Sequence, residues 1–488
     1  MAAKVFSSCC AYGVPSCAVL LALMLCGMKP AAAQENVTQK TAAPESLRAG
    51  FARTEVTPAV GAEMPGGFQK NFAQGVHDPL WVEAAFFANG STELAVVGVD
   101  LIMIPRDVVE GARRQAETRC GIPSRNILIA ASHTHNGGPV VECFEVECDP
   151  AYCRLAADKI GEAIVQAHDK AVETRVSTGV GREDSVGFNR RFKMKDGSVK
   201  THPGKMNPDI VESAGPIDPD VGVIAVENTQ GQLLGCIVNY ALHGTTMGGS
   251  LISADWPCYL RQTIRGGIGS GIQEASGDAA FVGIVFLNGA CGDVTQVDNR
   301  SPRPSEFGEA WARRVGMTVG AEVLKVLARA EFKPDAPLGV ATESLALPIR
   351  DLAGSDKELL AREAPDSGLG SGGGKVYLRE ARLVREMKAK SPTVDVEVQA
   401  FRIGDAAIVS NPAEFFCQLG LDIKRGSPWK PTMVAELANG YSGYCPTAEA
   451  FKGGGYEVRT ARSSFLAPGA GEQIVESSVR LLNGLAGK

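Results

Sequence analysis

The segment Asn126 to Ser132 (NILIAAS) is apolar at every position between its ends and runs straight into His133-Thr134-His135. A strand with apolar side chains on successive positions has no face to show to water, so it must be covered on both sides. Glu93 to Ile104 (ELAVVGVDLIMI), Cys236 to Leu242 (CIVNYAL) and Val282 to Leu287 (VGIVFL) repeat the pattern. Between such runs stand segments of helical spacing, Arg106 to Arg119 and Pro150 to Ala171, the second with Leu155, Ile160, Ile164 and Ala167 on one face. The alternation predicts an α/β fold of mixed β-sheets flanked by helices. Further strands are expected at Trp81 to Phe87, Val221 to Val226, Leu234 to Ala241, Val394 to Ile403 and Ala406 to Ser410, and further helices at Pro304 to Ala328 and Val376 to Lys390. Gly266 to Asp278 and Pro365 to Gly374, rich in glycine and serine, read as surface loops within one domain.

In sheets of this kind ligands bind where strands end and loops begin, so the strand ends are where chemistry is sought. The chain has six histidines, and two of them fall in the His133-Thr134-His135 motif. If strand geometry persists past Ser132 the two rings face one side; if the chain turns there, they diverge. His243 closes another apolar run and is followed by Gly244-Thr245-Thr246, so the two strand ends can converge. Two more runs lead into Asp293 and Glu414, which taken singly are better read as helix caps. Neutral imidazole is the commonest metal ligand, which makes the paired histidines the start of a candidate metal site.

The ordered blocks ASHTHNGGP (131–139), FNRR (188–191), NYALHGTTM (239–247), ISADWPCYL (252–260), NGACGDVTQ (288–296), NPAEF (411–415) and NGYSGY (439–444) resemble the catalytic domain of neutral ceramidases. The likeness runs from about Gly50 to the C-terminus. It implies a ceramidase-like fold with its active site at strand C-terminal ends, and one Zn2+ per chain held by His133, His243, Glu414 and Tyr444. It also implies His135, Thr295 and Tyr444 as catalytic groups, and Arg190, Arg191, Asp255 and Asp293 as substrate-binding groups. The implied reaction is hydrolysis of the N-acyl amide bond of ceramide or a related lipid amide by an activated water. The chain departs from the family pattern at Thr295, where the family has serine, and at Trp256, where it has asparagine. It ends soon after Tyr444, with no C-terminal immunoglobulin-like domain expected. The rival readings are a binuclear barrel-type amidohydrolase, for which later histidines are too few, a zinc hydrolase of another amide or ester, and a non-catalytic binding protein that kept the fold.

A net charge of −6 and the lack of a basic tract argue against a nucleic-acid partner. A lipid substrate is compatible with transient contact with a membrane surface, while the sequence is silent on oligomeric state. Residues 1–33 read as a signal peptide, with an apolar stretch from Cys17 to Cys26 and small residues at Ala31-Ala32-Ala33 for cleavage. This predicts export to the periplasm or exterior, a disordered leader at 34–49, and a single catalytic domain over 50–488. Nine cysteines then remain, and in an oxidising compartment the cluster Cys143, Cys148 and Cys153 is expected to carry a disulfide that ties down its loop, with Cys120 one partner to consider.

Overall fold

Strands of the first main sheet are Arg48–Glu55 (β1), Trp81–Asn89 (β2), Thr92–Val99 (β3), Ile127–Ala131 (β4), Val172–Arg182 (β5), Asp220–Asn228 (β6), Leu233–Tyr240 (β7) and Gly283–Asn288 (β8). They lie in the order β8-β7-β6-β5-β1-β2-β3-β4. Neighbours are antiparallel except at the two margins, where β7 with β8 and β3 with β4 run parallel. A second sheet holds Leu338–Pro348 (β9), Thr393–Ile403 (β10), Ala406–Ser410 (β11) and Thr432–Ala435 (β12), in that order, the last pair parallel. This is a computed structural model; it describes residues 46–269, 281–352, 354 and 373–487, within the unit Pro44–Lys488. The signal peptide, the expected leader as far as residue 45, and most of the loops expected at 266–278 and 365–374 lie outside the described residues; the last part of that leader, 46–49, is ordered after all, because Leu47 and Ala49 are buried and Arg48 opens β1.

Each sheet buries both faces, as the apolar runs require. Phe51, Phe87, Val96, Leu128, Ile237 and Val285 of the first sheet pack against Phe401, Ile408, Met433 and Ala435 of the second. Helices Arg106–Cys120 (α1) and Pro150–Asp169 (α2) cover the β1 to β4 half, where Val109, Ala112, Ile160 and Ile164 meet Val97, Val99 and Ile129. Helices Trp256–Gly267 (α3) and Glu309–Leu327 (α4) cover the other half through Trp256, Leu260, Val315 and Val319. Helices Cys417–Gly426 (α6) and Ala470–Ala486 (α7) cover the second sheet through Leu419, Ile423, Ile474 and Leu482, with Gly373–Lys390 (α5) lying earlier in the chain. The mixed α/β architecture is therefore as expected, in layers of helix, sheet, sheet and helix. Among the described residues no helix is long and apolar enough to cross a membrane.

Two differences from the expected elements bear on the site. The run Glu93 to Ile104 leaves the sheet at Val99, because the buried Asp100 carboxylate accepts hydrogen bonds from Arg261 Nη1 and Nη2 at 2.8 Å and from the Trp81 N–H at 2.9 Å. The freed segment then runs beside the turn after β4: Val99 O accepts the Ser132 N–H and Leu101 O accepts the His133 N–H. The helix expected from Pro304 begins only at Glu309, after Gly308 at a φ of 89°. Strand β8 closes back on β3, since a Cβ on Gly98 would stand 2.4 Å from the Phe286 carbonyl oxygen. Asn288 Nδ2 donates to Ser132 O at 3.2 Å, so the turns after β4 and β8 meet.

Candidate metal and catalytic site

His133 sits two residues beyond β4 at a φ of 68°, so the chain does turn there. The turn does not separate the rings, as the sequence reasoning would have it. Instead His133 Nε2 and His135 Nε2 stand 3.4 Å apart, because the positive φ swings the backbone round while His135 N–H donates to Gly244 O and fixes the next step. Thr134 and Gly244 form a parallel bridge, which joins the loops after β4 and β7. A Cβ at Gly244 would lie 2.5 Å from the His133 carbonyl oxygen, so only glycine permits this approach. His243 is thereby drawn in, its ring centroid 4.4 Å from that of His133.

Each imidazole has one nitrogen tied to a backbone carbonyl. His133 Nδ1 bonds Ile102 O at 2.7 Å, His243 Nδ1 bonds Cys291 O at 2.7 Å and His135 Nδ1 bonds Gly66 O at 3.1 Å. A carbonyl only accepts, so each Nδ1 carries the proton and each Nε2 presents a lone pair. Ligand atoms of the three rings all lie within 4.8 Å of one another. Glu414 follows β11 and lies in a short strand paired in parallel with Tyr444–Cys445. Its Oε2 stands 3.5 Å from His133 Nε2 and 3.6 Å from His243 Nε2, and it is buried without a hydrogen-bond partner. Ligands about 2.0–2.1 Å from a tetrahedral zinc stand about 3.3 Å from one another, close to these separations. An orphaned buried carboxylate oxygen among inward-facing imidazole lone pairs fits a divalent metal.

Burial dominates the electrostatics. It lowers His135 to about 3, with the neighbouring His133 adding to the effect. Burial and then the Arg190 charge hold His243 well below its ordinary value. Burial alone would depress His133, but the Glu414 carboxylate leaves it raised, and the two rings hold Glu414 well below the usual carboxylate range against its own burial. Neutral imidazole and ionised carboxylate are the protonation states in which these residues bind metal.

Tyr444 and Arg190 adjoin the group. Arg190 Nη2 donates to the Tyr444 hydroxyl at 3.1 Å and to Gly292 O at 2.8 Å, Nε pairs with Glu457 at 2.7 Å, and Nη1 stands 3.3 Å from His243 Nε2. The remaining residues singled out in the sequence serve neighbouring turns. Arg191 turns away to Glu457 at 2.7 Å. Asp255 caps α3 and accepts the Met247 N–H at 2.7 Å, which holds the loop after His243. Asp293 accepts Cys417 N–H at 2.9 Å and Asn189 Nδ2 at 2.7 Å. Thr295 accepts Val297 N–H at 3.4 Å, and Trp256 is core, donating its indole N–H to His243 O at 3.1 Å. None of these five lines the cavity beside the histidines, whose walls include Gly66, Phe68, Met103, Val141, Phe144, Tyr441 and Tyr456.

Sequence reasoning passed over Glu436. Its Oε2 accepts N–H groups of Phe415 at 2.8 Å and Cys291 at 3.1 Å, and its Oε1 takes the Cys291 S–H at 2.8 Å. Phe415 follows Glu414, and Cys291 supplies the carbonyl that orients His243, so one carboxyl clamps two ligand-bearing turns. Its position one residue beyond β12 was the available signal, but no ligand-like spacing marks it. Glu436→Gln, which keeps a single acceptor oxygen, is expected to weaken metal binding about 10- to 100-fold. Competition with a chromophoric chelator measures this, and an unchanged affinity would remove Glu436 from the site.

No family profile matches the chain. A neutral ceramidase of Pseudomonas aeruginosa is 23% identical over 445 residues, a match covering 78% of this chain and 64% of that relative's length. The crystal structure of neutral ceramidase from that organism superposes with a TM-score of 0.68 at 20% identity, over 90% of this chain and 74% of that one. A structure described as ceramidase complexed with C2 superposes with a TM-score of 0.66 at 19% identity, over 91% and 75%. The fold is thus shared with these proteins.

Proposed function

We propose that this chain, a homologue of neutral ceramidase, is an exported zinc-dependent hydrolase that cleaves the N-acyl amide bond of ceramide or a related lipid amide. The observation that carries the reading is the unpartnered Oε2 of Glu414 among the imidazole Nε2 atoms. His133, His243 and Glu414 are the residues that hold the metal, with Tyr444 beside them as a weak fourth donor. A bound zinc supplies a Lewis acid that lowers the pKa of water and polarises a carbonyl. His135, its Nδ1 proton held by Gly66, presents Nε2 as the atom that takes a proton from the attacking water and returns it to the departing amine. The Tyr444 phenol, which burial keeps protonated, donates to the developing oxyanion, and the Arg190 contact on its oxygen strengthens it as a donor.

Purified protein should hold about one zinc and hydrolyse a ceramide. Turnover of esters or other amides with ceramide untouched would overturn the substrate, and absence of any metal would overturn the site. Recovery of the protein outside the cytoplasm, beginning near Gln34, tests export.

The walls predict a preference among acyl groups. The cavity is about 70 Å³, small beside the roughly 300–1,000 Å³ of most ligand sites. Phe68 packs on Phe144, Tyr377 and Tyr456 with ring centroids 4.8, 6.0 and 6.0 Å away, and the Phe68, Phe144 and Tyr456 rings narrow it. Short acyl amides should therefore be cleaved faster than long ones, and Phe144→Ala should shift the kcat/KM ratio toward long chains by about tenfold, or about 1.4 kcal/mol. A series of acyl lengths run on both proteins checks this.

A further inference from the structure

Helix α2 begins at Pro150 behind Asp149, whose carboxylate accepts the Ala151 N–H at 2.8 Å as the N-cap. Cys148 is thus the residue before the cap, and Cys153 is the fourth residue of the helix. Apolar side chains at those two positions commonly pack together and set the angle at which the chain enters a helix. Here both are cysteine, and their Sγ atoms are 3.2 Å apart. We propose that Cys148 and Cys153 form a disulfide, a covalent form of that packing contact, which clamps the base of the loop walling the histidine cavity.

The loop is residues 139–149. Its base is closed by Asp149 N–H donating to Pro139 O at 2.9 Å, with Cys153 Sγ 3.9 Å from Val140 O. Its body supplies Val141, Cys143, Phe144 and Val146 to the cavity wall. Away from the base it is held by Glu380, which accepts the Phe144 N–H at 3.0 Å. A disulfide between Cys148 and Cys153 adds a covalent tie between the loop's C-terminal stem and α2, beside the backbone bond that already closes the base. The other cysteines considered are engaged elsewhere: Cys120 donates its S–H to Ala116 O inside α1, and Cys143 lies among Phe144, Tyr377 and Ala461.

The step requires little movement, since a bonded pair is about 2.05 Å apart. Cys148 is half-buried and open to a small oxidant, while Cys153 is buried behind it. The oxidant is a disulfide, small or enzymic. The Cys148 thiolate attacks one of its sulfurs, forming a mixed disulfide and expelling a thiolate. Cys153 then loses its proton and attacks Cys148 Sγ, expelling the second thiolate. Two electrons pass to the oxidant, which leaves as two thiols once protonated.

The full-length protein, treated with oxidised glutathione and digested without reductant, is expected to yield a peptide linking Cys148 to Cys153 and lacking two hydrogens. Iodoacetamide should modify both residues only after dithiothreitol. Alkylation of both without reduction, or either residue linked to another cysteine, overturns the proposal. Limited proteolysis within 139–149 should be severalfold slower in the oxidised protein. In Cys148→Ser, which changes the more accessible partner, the rate should no longer respond to reductant, and an equal response in the variant would refute the clamp. Neither readout depends on turnover, so failure of the proposed activity leaves this test intact.

Discussion

Glu414→Ala leaves a protein that no longer retains zinc through dialysis and whose amide hydrolysis falls by about 10³-fold or more. The size follows from what the carboxylate does. Loss of a group that merely orients a ligand already reduces metal affinity about 10- to 100-fold. Glu414 is instead the only carboxylate that stands against both His133 Nε2 and His243 Nε2 among the described residues. Without it the remaining donors are neutral imidazoles and a phenol whose pKa burial has raised, so nothing balances a divalent charge in a buried site. His133→Ala should act in the same direction. Metal content by mass spectrometry and single-substrate kinetics check both, and a Glu414→Ala protein that keeps its zinc would refute the ligand assignment.

Arg261→Ala destabilises the fold by about 3–5 kcal/mol, the range for stripping the partner from a buried charge. Arg261 and Asp100 are almost fully buried and joined by two bonds of 2.8 Å, with Glu83 a further 3.6 Å from Arg261 Nε. Burial already raises the Asp100 carboxyl despite the guanidinium, so its removal leaves a carboxylate with little but the Trp81 N–H to hold it. Urea denaturation should show the lower midpoint with an unchanged slope. The effect should reach the metal, because the segment that Asp100 turns out of the sheet carries Leu101 O and Ile102 O, which receive His133 N–H and His133 Nδ1. Arg261→Met, similar in length but uncharged, should lose stability to a comparable degree, which separates lost charge from lost volume.

What could be read in advance followed how far each signal depends on local pattern. Continuous apolar runs marked β4, β7, β8 and β11 because burial on both faces leaves no other composition. Strand β5 carries no such run because exposed residues interrupt its burial, and β9 carries none because Thr342, Ser344 and Ala346 alternate as exposed positions. Helix α3 starts inside the ISADWPCYL block, where Asp255 as N-cap and Pro257 in the first turn are its local signals, but the short apolar run that follows is no longer than a buried strand's. His133, His135, His243 and Glu414 were legible as strand-end residues that recur in order. Their convergence was not, because it depends on a positive φ at His133 and on the close approach at Gly244, neither of which side-chain periodicity encodes. Glu436 acts through the backbone N–H groups of Phe415 and Cys291, and Glu457 through the guanidinium groups of Arg190 and Arg191, and partners so distant in the chain leave no local spacing to find.

The ligand turns come from both sheets, with His133 and His243 beyond strands of the first and Glu414 beyond a strand of the second. The set is spread from His133 to Glu414, so on the proposed ligand assignment a nascent chain would offer no high-affinity metal site until both sheets have formed and docked. Metal capture would in this sense be a late and slow folding event, because contacts so distant in sequence close large loops. Bound as proposed, zinc at 1,000 times its dissociation constant would add about 4 kcal/mol to the native state alone. That stabilisation falls on the seam between the sheets, so chelation should loosen their docking before it unravels either one.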